Sequence, residues 1–380
     1  MTSTVTFGLQ ISWPAYFNPI IRLNFKLKWK EADASNVVMS TLKELATSLN
    51  LSAMAVSKAL RDAPDISAST KARVQAEARR RNYVPNRAAQ NLRLRKSGLI
   101  GVVVPHINHT YYSNLVWGIE RQAEAVGLQM LLGHSLDRAE SEMKEVSKLI
   151  SRQVEALLLV PAIRWQHRLA TLDLIKTSGI PTVLLDAYPA GAENFSNVSW
   201  VVCDDFKGGE MAAEHLLQLG HREILFLAGP NGSSSSAGRF SGYQRALMTA
   251  GVPYSDSRVF LAGKDIDAGR KAMGQALTEN ASFTAVVAHN DSVAIGAVDT
   301  LLQQGFHVPR DISVVGFGDG VLATHFRVPL TTVRVPQAEM GETALRMALD
   351  LQKGNPVQPR LLPVDLVQRT STIKFTSKNP

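Results

Sequence analysis

The chain has one cysteine, Cys203, in 380 residues. That excludes an intramolecular disulfide, and a lone thiol in a chain of this length fits a reducing compartment. Long apolar runs are missing too: stretches such as 156–161 and 224–228 have the length of buried strands and are too short to cross a bilayer. Trp13, Pro14, Asn18 and Arg22 break up the N-terminus, which therefore lacks the continuous apolar stretch of a signal peptide. A cytoplasmic protein with no membrane partner is expected.

Catalytic and cofactor patterns are equally scarce. There is no G-x-S-x-G elbow, no P-loop and no H-E-x-x-H. Residues 229–236 lack the Lys-Ser/Thr that completes a phosphate cradle, and they are expected to form a mobile loop. Gly316-x-Gly318-x-Gly320 lacks the onward spacing of a dinucleotide fingerprint. His106 and His109 supply two metal-ligand types without a third. The expectation is a chain that is not an enzyme and carries no metal or cofactor.

What the chain does have is unevenly placed charge. The formal net charge is +8, and residues 39–97 hold 12 Lys and Arg against 4 Asp and Glu. The 283 residues after them hold 25 against 27. A cationic segment of 59 residues beside a near-neutral remainder is the electrostatic footprint of a polyanion partner. Residues 1–38 scatter Phe7, Trp13, Tyr16, Phe17, Phe25 and Trp29 without helical or strand period. Met39 offers an in-frame start, so this stretch is expected to be a start-site artefact or a disordered arm.

Within the basic segment, Leu42, Leu45, Ala46 and Leu49 form one helical stripe, Val56 and Leu60 a second, and Val74 and Ala78 a third. Three short helices can cover one small core over residues 39–84. Asn50 tolerates the left-handed conformation of a sharp turn and Ser52 can cap the helix that follows, which gives helix-turn-helix spacing. The second helix then opens with Ala53 and Met54 at the end that approaches base edges, with Ser57, Lys58 and Arg61 facing outward. Residues 85–97 form a basic linker holding a Pro-started stretch of about eight helix-forming residues, marginal by itself in water. Held in a DNA minor groove it would offer Leu92 as an apolar wedge, with Ala89 beside it.

After Gly98, β-branched runs alternate with amphipathic helical stretches at the spacing of βαβ units. Nine strand-like runs, from 99–105 to 330–335, exceed the usual single parallel sheet, so two doubly wound lobes with a cleft between them are expected over residues 98–371. Residues 372–380 read as a tail. The fold class is thus a small all-α helix-turn-helix headpiece joined to an α/β two-lobed core.

The run Leu51-Ser52-Ala53-Met54-Ala55-Val56-Ser57-Lys58-Ala59-Leu60, then Asn82-Tyr83-Val84-Pro85-Asn86 with Ala89 and Leu92, resembles the DNA-binding headpiece of the lactose/purine-repressor (LacI) family. The similarity continues at Gly220-His221, Leu227-Ala228-Gly229-Pro230, Arg239 with Gly242, His289-Asn290-Asp291 and Leu330-Thr331-Thr332-Val333, and covers about residues 39–371. The resemblance implies a homodimeric transcription regulator, more a repressor than an activator, on double-stranded operator DNA. It implies base-reading positions at Ala53, Met54 and Lys58, backbone-contacting positions at Ser57, Ser67, Thr70 and Asn86, and minor-groove positions at Ala89 and Leu92. Ala55 departs from the family's usual Thr, which removes a hydroxyl contact.

For the core the resemblance implies a periplasmic-binding-protein-like pair of lobes that holds a small effector. Matching positions are Tyr111 and Tyr112 as aromatic walls, Asp186 as an acceptor, Arg239 as a donor fork and Asn290 as donor and acceptor. Gly318 stands where sugar-responsive relatives commonly carry Asp. Asp319 either substitutes from one residue along, or the effector is a sugar acid or sugar phosphate rather than a neutral sugar. For Asp291 the expected role is capping of the helix that follows. A sugar receptor that does not act on DNA is the rival reading, and deletion of residues 39–97 separates the two. The chain ends without a heptad repeat, which predicts a dimer and no coiled-coil tetramer.

Overall fold

The computed structural model describes residues 41–84, 97–162, 170–188, 192 and 195–376. Two compact units divide the chain, and each is considered separately.

The first unit contains α1 (Leu42–Leu49), α2 (Ala53–Leu60) and α3 (Ala68–Arg80). Thr41 and Glu44 form a reciprocal capping box at the start of α1, which satisfies two of the donors a helix N-terminus leaves open. Asn50 ends α1 in the left-handed conformation (φ 51°, ψ 45°), and the Ser52 side chain accepts from the Ala55 N–H to begin α2. Both features follow from local chemistry: Asn tolerates positive φ, and Ser at a helix start offers an acceptor to an orphan N–H. Leu45, Ala46, Val56, Ala59, Val74 and Ala78 are the buried core of this unit, with Leu42, Leu49, Leu51 and Tyr83 packed against it.

The second unit is two lobes, each built on a six-stranded sheet. The N-terminal lobe holds β1 (Leu99–Val104), α4 (Thr110–Ala125), β2 (Gln129–His134), α5 (Ala139–Ser151), β3 (Ala156–Leu159), α6 (Ala170–Ser178), β4 (Thr182–Leu185) and β5 (Val198–Cys203). The chain then crosses into the C-terminal lobe with α7 (Asp205–Gln218), β6 (Ile224–Ala228), α8 (Ser234–Thr249), β7 (Val259–Leu261), α9 (Ile266–Thr278), β8 (Ala285–Ala288), α10 (Asp291–Gln303), β9 (Ser313–Gly318), α11 (Val321–His325) and β10 (Thr331–Arg334). It returns through α12 (Gln337–Gln352) to β11 (Arg360–Leu362) in the first sheet, and ends with β12 (Asp365–Val367) in the second.

The strand orders are β11-β5-β4-β3-β1-β2 and β12-β10-β9-β8-β6-β7. Only the β10–β12 pairing is antiparallel among those described. Each sheet is covered on both faces, which is why β3, β4 and β8 are buried at every position rather than alternating. One apolar cluster runs under α4, α7, α8 and α12 across both lobes, with separate clusters on the outer faces.

The two-lobed α/β expectation is met, with differences in detail. Three short strands, β7, β11 and β12, escaped the sequence reading, because three residues are too few for a period to show. Residues 372–375, read as the start of a tail, are held against the core together with Ser371. Ser371 bridges the Val314 carbonyl and the Thr331 N–H, Thr372 bonds His215 and Thr331, and the Phe375 N–H donates to the Leu219 carbonyl. The loop after β6 also ends sooner than expected: Ser233 caps α8, so Ser234, Ser235 and Ser236 belong to the first turn of a helix.

Candidate functional site

In the helical unit, α2 presents Ala53 and Met54 at its exposed N-terminal end, with Met54 58% exposed. Ser57 and Lys58 follow half-buried and Arg61 exposed, its Nε donating to the Ser57 carbonyl at 3.2 Å. Lys58 forms an ion pair with Asp65, whose carboxyl is held below its ordinary range by that bond. The Ser67 hydroxyl accepts from the Thr70 N–H at 3.3 Å and donates to the Thr70 Oγ1 at 2.9 Å, so both hydroxyls sit at the start of α3. Arg73, Arg79 and Arg80 add exposed positive charge along α3. Asn86, Ala89 and Leu92 lie outside the described residues, as do residues 1–38.

In the core, the ends of β4, β6, β8 and β9 carry the polar groups, as expected at the carboxyl edge of parallel strands. Arg239, in α8, is buried. Its Nε donates to Asp205 Oδ1 at 2.8 Å, its Nη1 to the His289 carbonyl at 2.7 Å, and its guanidinium lies 3.7 Å from the Phe317 ring centroid. A guanidinium fixed on three sides is an oriented donor, and Nη2 is engaged by none of these bonds. Burial lifts the Asp205 carboxyl above its usual range in spite of Arg239 beside it.

On the other lobe, the Tyr111 hydroxyl donates to Asp186 Oδ1 at 2.6 Å. Burial first, then the Asp186 charge, raises the Tyr111 phenol well above its ordinary range, so it stays a donor. Tyr112 packs edge-on against Tyr111 with centroids 5.2 Å apart, and is itself part of the inner apolar core. Asp186 has φ 65° at the end of β4. Tyr111 and Asp186 are thus brought together as a pair, while Tyr112 serves mainly as the packing beneath them.

Asn290 is the N-cap of α10: its Oδ1 accepts from the Val293 N–H and its Nδ2 donates to the Lys264 carbonyl at 2.9 Å. Asp291 is therefore not the cap. Its Oδ2 accepts from the Gly320 N–H at 2.9 Å and its Oδ1 from the Thr332 hydroxyl at 2.6 Å, which ties α10 to the segment after β9. A Cβ on Gly316 would stand 2.4 Å from Asp291 Oδ1, so the glycine leaves room for that carboxylate. Asp319 also departs from the role expected of a substituting acceptor. Its two carboxylate oxygens hold Arg334 and Arg369, at 2.7 and 2.5 Å, so its charge is already neutralised within the protein.

Several groups in the cleft were not named for it from the sequence. Asp205 anchors Arg239. His289 is buried and held neutral, its pKa well below the ordinary value through burial and then the Arg239 and Lys264 charges. His289 Nδ1 and Ser236 Oγ are buried without a hydrogen-bond partner. Lys264 pairs with Asp137 of the opposite lobe, and His106 shares that carboxylate, while His109 caps α4. The spacing of these residues in sequence gives no sign of their meeting. A cavity of about 350 Å³ lined by Pro230, Asn231, Leu261, Gly263 and Lys271 includes none of these polar groups.

Comparison with known proteins agrees with both units. The family described as periplasmic binding protein-like domain matches residues 213–372. The transcriptional regulator DegA of Bacillus subtilis is 30% identical over 335 residues, covering 88% of this chain and 98% of DegA. The repressor PurR of Escherichia coli is 28% identical, covering 88% and 97%. A crystal structure of the lac repressor dimer bound to operator and an anti-inducer matches with a TM-score of 0.77 and 28% identity, covering 88% of this chain and 99% of that one. These relatives are DNA-binding regulators rather than enzymes, and similarity this extensive spans the helix-turn-helix and the two-lobed core alike: the chain belongs to the LacI family of transcriptional regulators.

Proposed function

We propose that the chain is a homodimeric repressor that reads a near-palindromic operator and changes its grip when a small anionic, polyhydroxylated ligand, a sugar acid or sugar phosphate, enters the cleft. Ala53, Met54 and Lys58 read bases, Met54 against a thymine methyl, while Ser57, Ser67, Thr70 and Asn86 contact the DNA backbone and Arg61 faces the DNA beside them. Ala89 and Leu92 enter the minor groove at the operator centre. The lac repressor, a dimer on its operator, supports this arrangement.

One observation carries the ligand class: positions 318 and 319 at the end of β9 offer no free carboxylate. Gly318 has none, and Asp319 is bound to Arg334 and Arg369. Arg239 supplies a fixed cation in its place, with Tyr111, Asp186 and Asn290 for hydroxyls. A ligand that favours one lobe arrangement by ~1–3 kcal/mol shifts operator affinity roughly 5- to 150-fold, and the operator shifts ligand affinity by the same factor. Operator selection from random DNA, with and without a panel of sugars, aldonates and sugar phosphates, tests the reading. A chain that never prefers one sequence defeats the regulator reading. Tight neutral-sugar binding with no response to aldonates or sugar phosphates defeats the ligand class.

A further inference from the structure

The cleft holds a second cation besides Arg239. Lys264 follows β7 at a turn where Gly263 has φ +64°, its carbonyl is held by Asn290 Nδ2, and the next residue, Asp265, caps α9. Its backbone is therefore fixed on the C-terminal lobe. Its ammonium reaches the N-terminal lobe, where Nζ lies 3.4 Å from Asp137 Oδ1, with the two side chains 41% and 36% exposed. The other oxygen of Asp137 meets His106 Nε2 at 3.1 Å. One carboxylate at the mouth of the cleft is thus shared between a histidine of its own lobe and a lysine of the other. The Lys264 charge also reaches inward, to His289 and to His109. Beyond it, His289 Nδ1 and Ser236 Oγ each lie 2.4 Å from where a Cβ on Gly229 would stand, both buried and unpartnered.

We propose that Lys264 is the anion-sensing residue of the cleft and that Asp137 is its built-in competitor: the carboxylate or phosphate of an entering ligand takes Lys264 from Asp137 and so breaks a bridge between the lobes. This rests on the reading of the cleft as the site of a small anionic ligand. A half-exposed ion pair is a weak bond, so a modest competitor suffices to exchange it. The charges of Lys264 and Arg239 both reach His289, so an anion beside that ring meets two cations, while a ligand hydroxyl can share a hydrogen bond with Nδ1 of the neutral imidazole and with Ser236. A neutral sugar's hydroxyls can accept from the ammonium but carry no charge to replace that of Asp137, which makes Lys264 the discriminating group.

Inorganic phosphate is the minimal probe, titrated by calorimetry into the full-length protein, with D-gluconate and D-glucose 6-phosphate as carboxylate and phosphate-ester arms and D-glucose as neutral control. Lys264→Met should weaken phosphate binding at least about tenfold. Asp137→Asn, a conservative change at a half-exposed position, should tighten it about threefold to fivefold by removing the competitor. In the Lys264→Met background, Asp137→Asn should have no further effect. Spin labels at Glu140→Cys and Glu279→Cys, one exposed position in each lobe, should report a shift in interlobe distance on adding phosphate, and Asp137→Asn should move the distribution the same way without it. Phosphate that fails to bind, an Asp137→Asn variant that binds no tighter, or an equal effect of Asp137→Asn with and without Lys264 overturns the proposal. None of these readouts involves DNA, so they stand apart from the operator selection.

Discussion

Asp205, the first residue of α7, accepts a 2.8 Å hydrogen bond from Nε of Arg239 in α8, with the two side chains only 11% and 8% exposed. The pair sits where the chain has just passed from one lobe into the other, so it locks the crossover to the helix that carries the donor fork. Removing one member of a buried pair leaves the other charge uncompensated. Arg239→Met is therefore expected to destabilise the core by ~3–5 kcal/mol and to abolish ligand response. Denaturant unfolding checks the first and calorimetry the second. Adding Asp205→Asn should restore part of the stability and none of the binding, whereas full recovery of both would show that Arg239 serves packing alone.

Close helix packing makes a second prediction. A Cβ on Gly242 would stand 2.0 Å from the Phe206 carbonyl oxygen, and one on Gly209 2.1 Å from that of Arg239, so α7 and α8 touch backbone to backbone. Neither obstacle is a side chain that can rotate away. Gly242→Ala is expected to cost ~1–3 kcal/mol through forced helix separation. An unchanged denaturation midpoint would contradict this packing.

Glu77 gives a pH-dependent expectation for the helical unit. Hydrogen bonds from Arg80 and then Arg81 hold its carboxyl down at about 2, from an ordinary 4.5. A depressed folded-state value means that the contribution is complete above the unfolded-state value near 4.5, and is lost as the pH falls from there toward 2. Wild type should therefore melt above Glu77→Gln at pH 6, and the two curves should converge on acidification. The group is near solvent, so the difference should also shrink in high salt.

DNA recognition supplies the fourth. Lys58→Ala should relax preference at one operator position and cost ~1–3 kcal/mol on the selected sequence, as a base contact does. Met54→Ala should do the same at a neighbouring A·T pair through the lost methyl contact. Mobility-shift titrations on single-position operator variants separate this from a uniform loss on every sequence, which would assign Lys58 to a phosphate instead.

The headpiece was legible in the sequence because its determinants are local. The stripe of Leu42, Leu45 and Ala46, the left-handed turn at Asn50 and the cap at Ser52 each depend on residues within one or two helical turns. The two-lobed α/β class was legible for the same reason, since parallel strands buried on both faces write themselves as continuous apolar runs.

The cleft was legible only in part. The sequence, through its family resemblance, named Arg239, Tyr111 and Asp186 one by one, but it could not show that Tyr111 bonds Asp186, that Asp319 is bound to Arg334 and Arg369, or that Asp291 anchors the Gly320 turn rather than capping α10. Those facts depend on groups 15 to 50 residues apart meeting at one edge of a sheet. The bridge from Lys264 to Asp137 spans 127 residues and joins two lobes. Chain composition fixes what each residue can donate or accept, and only the folded backbone chooses which donor and acceptor are close enough to spend that capacity on each other.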